Sequence, residues 1–269
     1  MLVSTTCLVF IVLGLTAMFI ETQRIFKAGT KQTTMTDSGR TILDTVASDL
    51  AQLSDAQNPF ITNLFWSWPA NSSVQIADGS TVPFRTNQLQ MVFMLVHTNL
   101  QWVGVGYAVS NAANGAGTLY RYQAATNDPL TFAGFWPIYT NFTLNASNGI
   151  FNPYYFHRVT DGVVQLKIRA YDQTGNEPLL EQGFDFANGY SLGYPAPYYF
   201  YTTGVGQNNY VASATLPASV QLEVGVLEPD AYEQLRALPN RTLQSNYLAK
   251  AGGKIQIYRQ NIPIVGAIQ

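Results

Sequence analysis

The hydrophobic pattern of the chain changes character twice. From Leu2 to Ile20, "LVSTTCLVFIVLGLTAMFI", there is no charge, no proline and one glycine, and the first charged side chain is Glu21. A run of about 20 apolar residues is what an α-helix needs to cross the hydrocarbon core of a bilayer. Leu2, Val3, Leu8, Val9, Phe10, Ile11, Val12, Leu13, Leu15, Phe19 and Ile20 supply its apolar bulk. A cleaved signal peptide would carry a basic leading segment and a small-x-small cleavage site. Here no Lys or Arg precedes Arg24, and Leu15 and Ala17 make a poor cleavage pair. A signal anchor fits better. A buried core helix would be shorter and less uniformly apolar.

After this run the pattern becomes a helical stripe. No proline occurs before Pro59, and in "DSGRTILDTVASDLAQL" the residues Ile42, Val46, Leu50 and Leu53 fall at i, i+4, i+8 and i+11. Arg40, Asp44 and Asp49 lie off that stripe. The spacing predicts that the membrane helix continues outward as an amphipathic spine to about Ser54, a rod on the order of 80 Å. Gly29 and Gly39 are expected to weaken it locally, and the stripe needs a partner surface.

Beyond the rod the pattern turns to alternation. Residues 55–88, with Pro59, Pro69 and Pro83, read as a connector with room for short strands. "LQMVFMLVHT" (89–98) and "QWVGVGYAVS" (101–110) predict an antiparallel hairpin, and "TLYRYQ" (118–123) a third strand. Gly104 and Gly106 share one strand face and leave room for something packed there, the spine stripe being one candidate. Residues 124–160 read as loop. "DGVVQLKIRAYDQTGNE" (161–177) opens on an Asp-Gly turn and continues as a strand. Val164, Leu166, Ile168 and Ala170 are expected on one face, with Gln165, Lys167 and Arg169 on the other. Residues 181–210 read as a long surface excursion. A strand over Ser219–Leu227, a helix from Pro229 and a closing strand in "GKIQIYRQNIPI" complete the chain. The expected fold class is α+β: a membrane-spanning helix (1–20), its amphipathic continuation (21–55), and a β-rich head (56–269) of antiparallel sheets on that spine.

Composition narrows the chemistry. Charged residues are 11% of the 269 and the net charge is −2, so no basic field exists to attract nucleic acid. Cys7 is the single cysteine, which excludes a disulfide framework and a thiolate metal site. His97 and His157 stand far apart and make a poor metal site. "DQTGNE" (172–177) departs from the calcium-loop pattern and reads as a hairpin turn. "GYSLG" (189–193) matches G-x-S-x-G formally, but that elbow needs a buried strand before Ser191 and a helix after it. Pro195 and Pro197 obstruct the helix, and both histidines precede the serine. The aromatic segment Tyr194, Tyr198, Tyr199, Phe200 and Tyr201 could recognise a glycan or a protein partner, or could fill a core.

A membrane helix running into an amphipathic spine under a β-rich domain resembles the type IV pilins and pseudopilins. "MLVSTTCLVFIVLGL" is similar to the part of a pilin N-terminus that follows the processing motif. The resemblance implies a Gly-Phe-Thr-Leu-x-Glu type motif upstream of Met1, absent because of a late start or a trimmed chain. "VGVGYAV" followed by "LYRYQ", then "DGVVQLKIRAYD" and "LPASVQLEVGVLE", resemble the verrucomicrobial cassette protein C family, related to the minor pseudopilin J of type II secretion. The likeness covers the rod and these blocks, about half the chain. It implies a non-enzymatic subunit without cofactor, cut and methylated by a prepilin peptidase. Its partners would be other pseudopilins, met through the N-terminal helix and the head, and it would sit single-pass in the inner membrane with its head in the periplasm. Two other readings stay open: a membrane-tethered binding domain using residues 184–201, and an anchored hydrolase at Ser191.

Overall fold

The computed structural model describes residues 2–53, 65–75, 85–98, 101–126, 132–171, 175, 184–185, 190–191, 198–200 and 218–264. The first element, α1 (Leu2–Ala51), is one helix of 50 residues, about 75 Å long. Neither Gly29 nor Gly39 interrupts it. Its many threonines close their hydroxyls onto the preceding turn: Thr16 donates to the Val12 carbonyl at 2.8 Å and Thr22 to that of Met18 at 2.8 Å. This back-bonding satisfies the hydroxyl inside the helix and so makes threonine tolerable in an apolar run.

Strands β1 (Phe65–Gln75), β2 (Arg85–Thr98), β3 (Gln101–Val109) and β4 (Gly117–Thr126) follow. Next come α2 (Phe132–Ser147), β5 (Phe156–Tyr171), the two-residue strands β6 (Phe184–Asp185) and β7 (Tyr190–Ser191), and β8 (Tyr198–Phe200). The chain closes with β9 (Ser219–Leu227), α3 (Pro229–Arg236), α4 (Arg241–Lys250) and β10 (Ile255–Pro263). Eight strands form one sheet in the order β10-β9-β5-β4-β3-β2-β1-β8, every neighbouring pair antiparallel, while β6 and β7 pair separately. The fold class is α+β.

Alternation along the strands assigns the two faces. Val92 and Met94 of β2, Val103, Val105 and Tyr107 of β3, Leu119 of β4, and Leu222 and Val224 of β9 share one core with Ile42, Val46, Leu50 and Leu53 of α1. All four stripe residues are buried. Each such side chain contributes about 1.5–3 kcal/mol by leaving water. The opposite face carries Met91, Phe93, Ala108 and Tyr122, which pack on Ile138, Tyr139 and Phe142 of α2. Helices α3 and α4 cover a third cluster through Ala231, Tyr232, Leu235 and Leu248.

Three expectations change here. Residues 124–160 hold α2 and the ends of two strands as well as loop. Gly104 and Gly106 face α2, not the spine: a Cβ on Gly104 would lie 2.5 Å from Ile138, and one on Gly106 2.6 Å from Phe142. They alternate with Val103, Val105 and Tyr107, which point at α1, so parity alone puts them on the far side. Third, Asp161-Gly162 is a bend inside a continuous strand, with Gly162 at φ 72°. The pairing skips a residue between Val163 and Gln165. Val163 and Leu166 therefore both join the spine-side core, while Val164 joins α3 and α4. Gln165, expected outward, is buried and donates to Glu223 at 3.1 Å.

That bulge also reshapes the sheet. Three successive antiparallel pairings would leave β5 antiparallel to β2, yet Leu89 and Leu166 pair in parallel. The second half of β5 has turned across the end of the β3–β4 hairpin to reach β2, which curls the sheet around the stripe of α1.

Candidate membrane and assembly helix

Helix α1 has two environments. Val9 through Val12, Leu13, Leu15, Met18, Phe19 and Ile20 are each 52–72% exposed, and Ile25 and Phe26 are 68% and 78% exposed. Of Leu2, Val3 and Leu8 the backbone alone is described. The most apolar window of α1 has mean hydropathy 1.6 and none of it is buried in the protein. The helix is long and apolar enough to span a membrane. From Met35 onward the same helix turns its stripe into the sheet.

Between the two halves a set of ion pairs ties the helix to the head. Lys31 Nζ lies 2.8 Å from Glu228 and 2.6 Å from Asp230, and Lys27 Nζ is 3.7 Å from Asp230. Lys27 and Lys31 are one turn apart, so both reach the same carboxylate. Asp230 sits in the first turn of α3, where a negative charge suits the helix dipole. The hydrogen bond from Lys31 is the main cause holding its carboxyl below the ordinary value.

Farther along, Gly39 admits a neighbour. A Cβ there would lie 2.3 Å from the ring of Tyr258 on β10. The glycine read as a weak point in the rod is the position where a strand side chain packs directly on helix backbone.

The final turns of α1 hold a polar lock. Asp49 is 5% exposed and accepts from Arg121 Nε at 2.7 Å and Nη2 at 2.8 Å, while the Tyr107 hydroxyl also donates to it. Tyr107 and Arg121 are direct cross-strand partners on β3 and β4, so both project from the spine-side face. The carboxylate gains a bidentate partner and a third donor, which is what a charge needs when it leaves water. Burial, reinforced by the Asp49 charge, pushes the Tyr107 phenol well above its ordinary value. Donating hydrogen bonds to Asp49 raises the Arg121 pKa despite partial burial. The heptad-like spacing alone puts Asp49 off the stripe. The signal was present: Asp49 is three residues after Val46 and four before Leu53, on the flank of the buried face.

The other sequence candidates fall on other elements or outside the described residues. The backbone of Tyr198, Tyr199 and Phe200 forms β8, paired with Ser67, Trp66 and Phe65 at one edge of the sheet. Tyr194 and Tyr201 lie outside the described residues, as does all of "DQTGNE" except Gly175. Ser191 is a strand residue, paired with Phe184, and the helix that a nucleophile elbow needs after it would fall on positions outside the described residues. His157 is exposed on β5, opposite Arg121, and His97 ends β2 opposite Trp102. Among the described residues no three His, Cys, Asp or Glu side chains gather as a metal set.

No protein family, no curated protein and no solved structure matches this chain.

Proposed function

We propose that the chain is a non-enzymatic, membrane-anchored structural subunit of the minor pseudopilin type, serving a type II secretion or type IV pilus-like assembly. One observation carries this reading. A single unbroken helix offers a bare apolar half and buries its other half as the core of a curled antiparallel sheet. A simple tether needs only a flexible link between anchor and head. A helix that is rigidly part of the head fixes the head's orientation relative to the apolar segment, as packing into a helical array requires. Before assembly the apolar half would rest in the inner membrane, with the head in the periplasm. In the assembled state it would pack against equivalent helices of other pseudopilins. Processing by a prepilin peptidase would act on the full-length precursor.

The test is site-specific photo-crosslinking in native membranes, with the probe at successive positions from Val9 to Ile20. Adducts to other single-helix subunits, recurring with a period of about 3.6 residues, are expected. Adducts to lipid alone at every position would sink the assembly reading and leave a tethered binding domain.

A further inference from the structure

Where α1 leaves its exposed apolar half, it borders an open cleft of about 550 Å³ against the Gly252–Lys254 turn and the start of β10. Arg24, Lys27, Lys31 and Lys254 line it, with Glu228 the carboxylate on its wall. Lys31 is committed to Glu228 and Asp230 at short distances, and Lys27 leans on Asp230 at 3.7 Å. Among the described residues, Arg24 and Lys254 have no ion-pair partner. Two cations are thus left over after both carboxylates are used. Access is open, because nothing lies within 4 Å of where a Cβ would stand on Gly252 or Gly253.

We propose that this cleft binds the phosphate of an anionic phospholipid headgroup. The inference rests on the membrane reading of α1 given above. If the hydrocarbon core ends near Ile20, Arg24 stands about 6 Å farther along the helix. Headgroups occupy roughly the first 5–7 Å beyond the core on each side, so Arg24 lies at phosphate depth. The guanidinium of Arg24 presents a planar fork that matches phosphate oxygens, and Lys254 adds a point charge from the head side. A lipid phosphate held between them would bridge helix and head at the bilayer surface, continuing the ion-pair set of Lys27 and Lys31. A second net negative charge on the lipid is not required, but a zwitterionic headgroup would bring its own ammonium against Arg24 and Lys254.

The experiment uses the full chain in nanodiscs of phosphatidylcholine with a minor share of phosphatidylglycerol. Lipids retained after release are counted by native mass spectrometry. The expected result is one retained phosphatidylglycerol, enriched about fivefold or more per unpaired cation over its share in the disc. Arg24→Gln with Lys254→Gln should return the ratio to that share, whereas Lys250→Gln, an exposed cation outside the cleft, should leave it unchanged. Equal retention of the two lipids, or enrichment that survives the double variant, overturns the proposal while the membrane reading stands. Failure of the chain to enter the discs removes both. In detergent, complete displacement of the lipid by inorganic phosphate would assign the cleft to the free anion and overturn the lipid claim.

Discussion

Asp49 and Arg121, 72 positions apart in the chain, meet through two hydrogen bonds of 2.7 and 2.8 Å. They join the last turns of α1 to the middle of the sheet. Removing one member leaves the other charge short of a partner, which for a buried pair costs about 3–5 kcal/mol. Asp49→Ala should fall near that range in urea unfolding followed by circular dichroism. Arg121→Lys should lose a large part of it too, because an ammonium cannot reproduce the two parallel bonds. A change below about 1 kcal/mol, the scale of an exposed pair, would mean the lock is solvated.

The phenol of Tyr107 sets an alkaline limit on stability. In the fold its pKa lies far above the ordinary value near 10, by burial first and then by the Asp49 charge. Tyr122 is shifted the same way by burial. As pH rises through 10 the unfolded chain releases these protons and the folded chain keeps them. Unfolding is thereby favoured, and stability falls with pH from there upward. Unfolding free energy should be flat with respect to these groups below about pH 9 and decline above 10. Tyr107→Phe should make that decline shallower.

Two glycines of α1 make a matched comparison. Nothing lies within 4 Å of a Cβ on Gly29, whereas one on Gly39 would strike the Tyr258 ring at 2.3 Å. Gly29→Ala should stabilise by up to about 1 kcal/mol, the ordinary helix-propensity gain. Gly39→Ala should reverse the sign and cost roughly 1–3 kcal/mol through overpacking. Adding Tyr258→Ala should make Gly39→Ala favourable. Equal responses of the two glycines would refute the packing argument.

On the far face of the sheet, Phe142 fills the groove left by Gly106 and touches the Phe93, Tyr122 and Phe156 rings at centroid distances of 5.3–6.2 Å. Phe142→Ala should cost about 3–5 kcal/mol. Leu144, two residues on and 63% exposed, should tolerate alanine within about 0.5 kcal/mol. Thermal unfolding of the two variants side by side distinguishes α2 as a packed element from a loosely attached one.

In the exposed half of α1, Ile11→Arg places a charge near the middle of the apolar run. Its insertion penalty is about 2.5–3.5 kcal/mol, enough to move most of the protein into the carbonate-extractable fraction. Retention in the carbonate-resistant pellet at the wild-type level would count against a span centred on this segment.

Patterns that depend on near neighbours were readable in the chain. The stripe of Ile42, Val46, Leu50 and Leu53 is one such case, as are the alternation and boundaries of β9 and the start of α3 at Pro229. Helix α2 was not, because "FAGFWPIYTNFTLNAS" carries Pro137, aromatics and few strong helix formers. Its stability comes from Ile138 and Phe142 seating over Gly104 and Gly106, a tertiary contribution with no local trace. The bend at Gly162 looked like a turn because Asp-Gly ends strands far more often than it kinks them. Asp49 resembled a solvent-facing residue since its partners, Tyr107 and Arg121, come from strands 58 and 72 positions away.

The core that encloses Ile42, Val46 and Leu50 also takes in Ile262 and Ile264, so its first and last members sit near opposite ends of the chain. During synthesis the spine residues are made early and must wait for β9 and β10 before their burial is complete. Throughout that interval a long helix carries an unsatisfied apolar face beside an already exposed apolar half. Native closure is therefore a late, long-range event whose loop-closure cost comes before its reward. A chain truncated just before β9 should leave the ribosome as a species that sticks to chaperones and membranes, not as a smaller folded head.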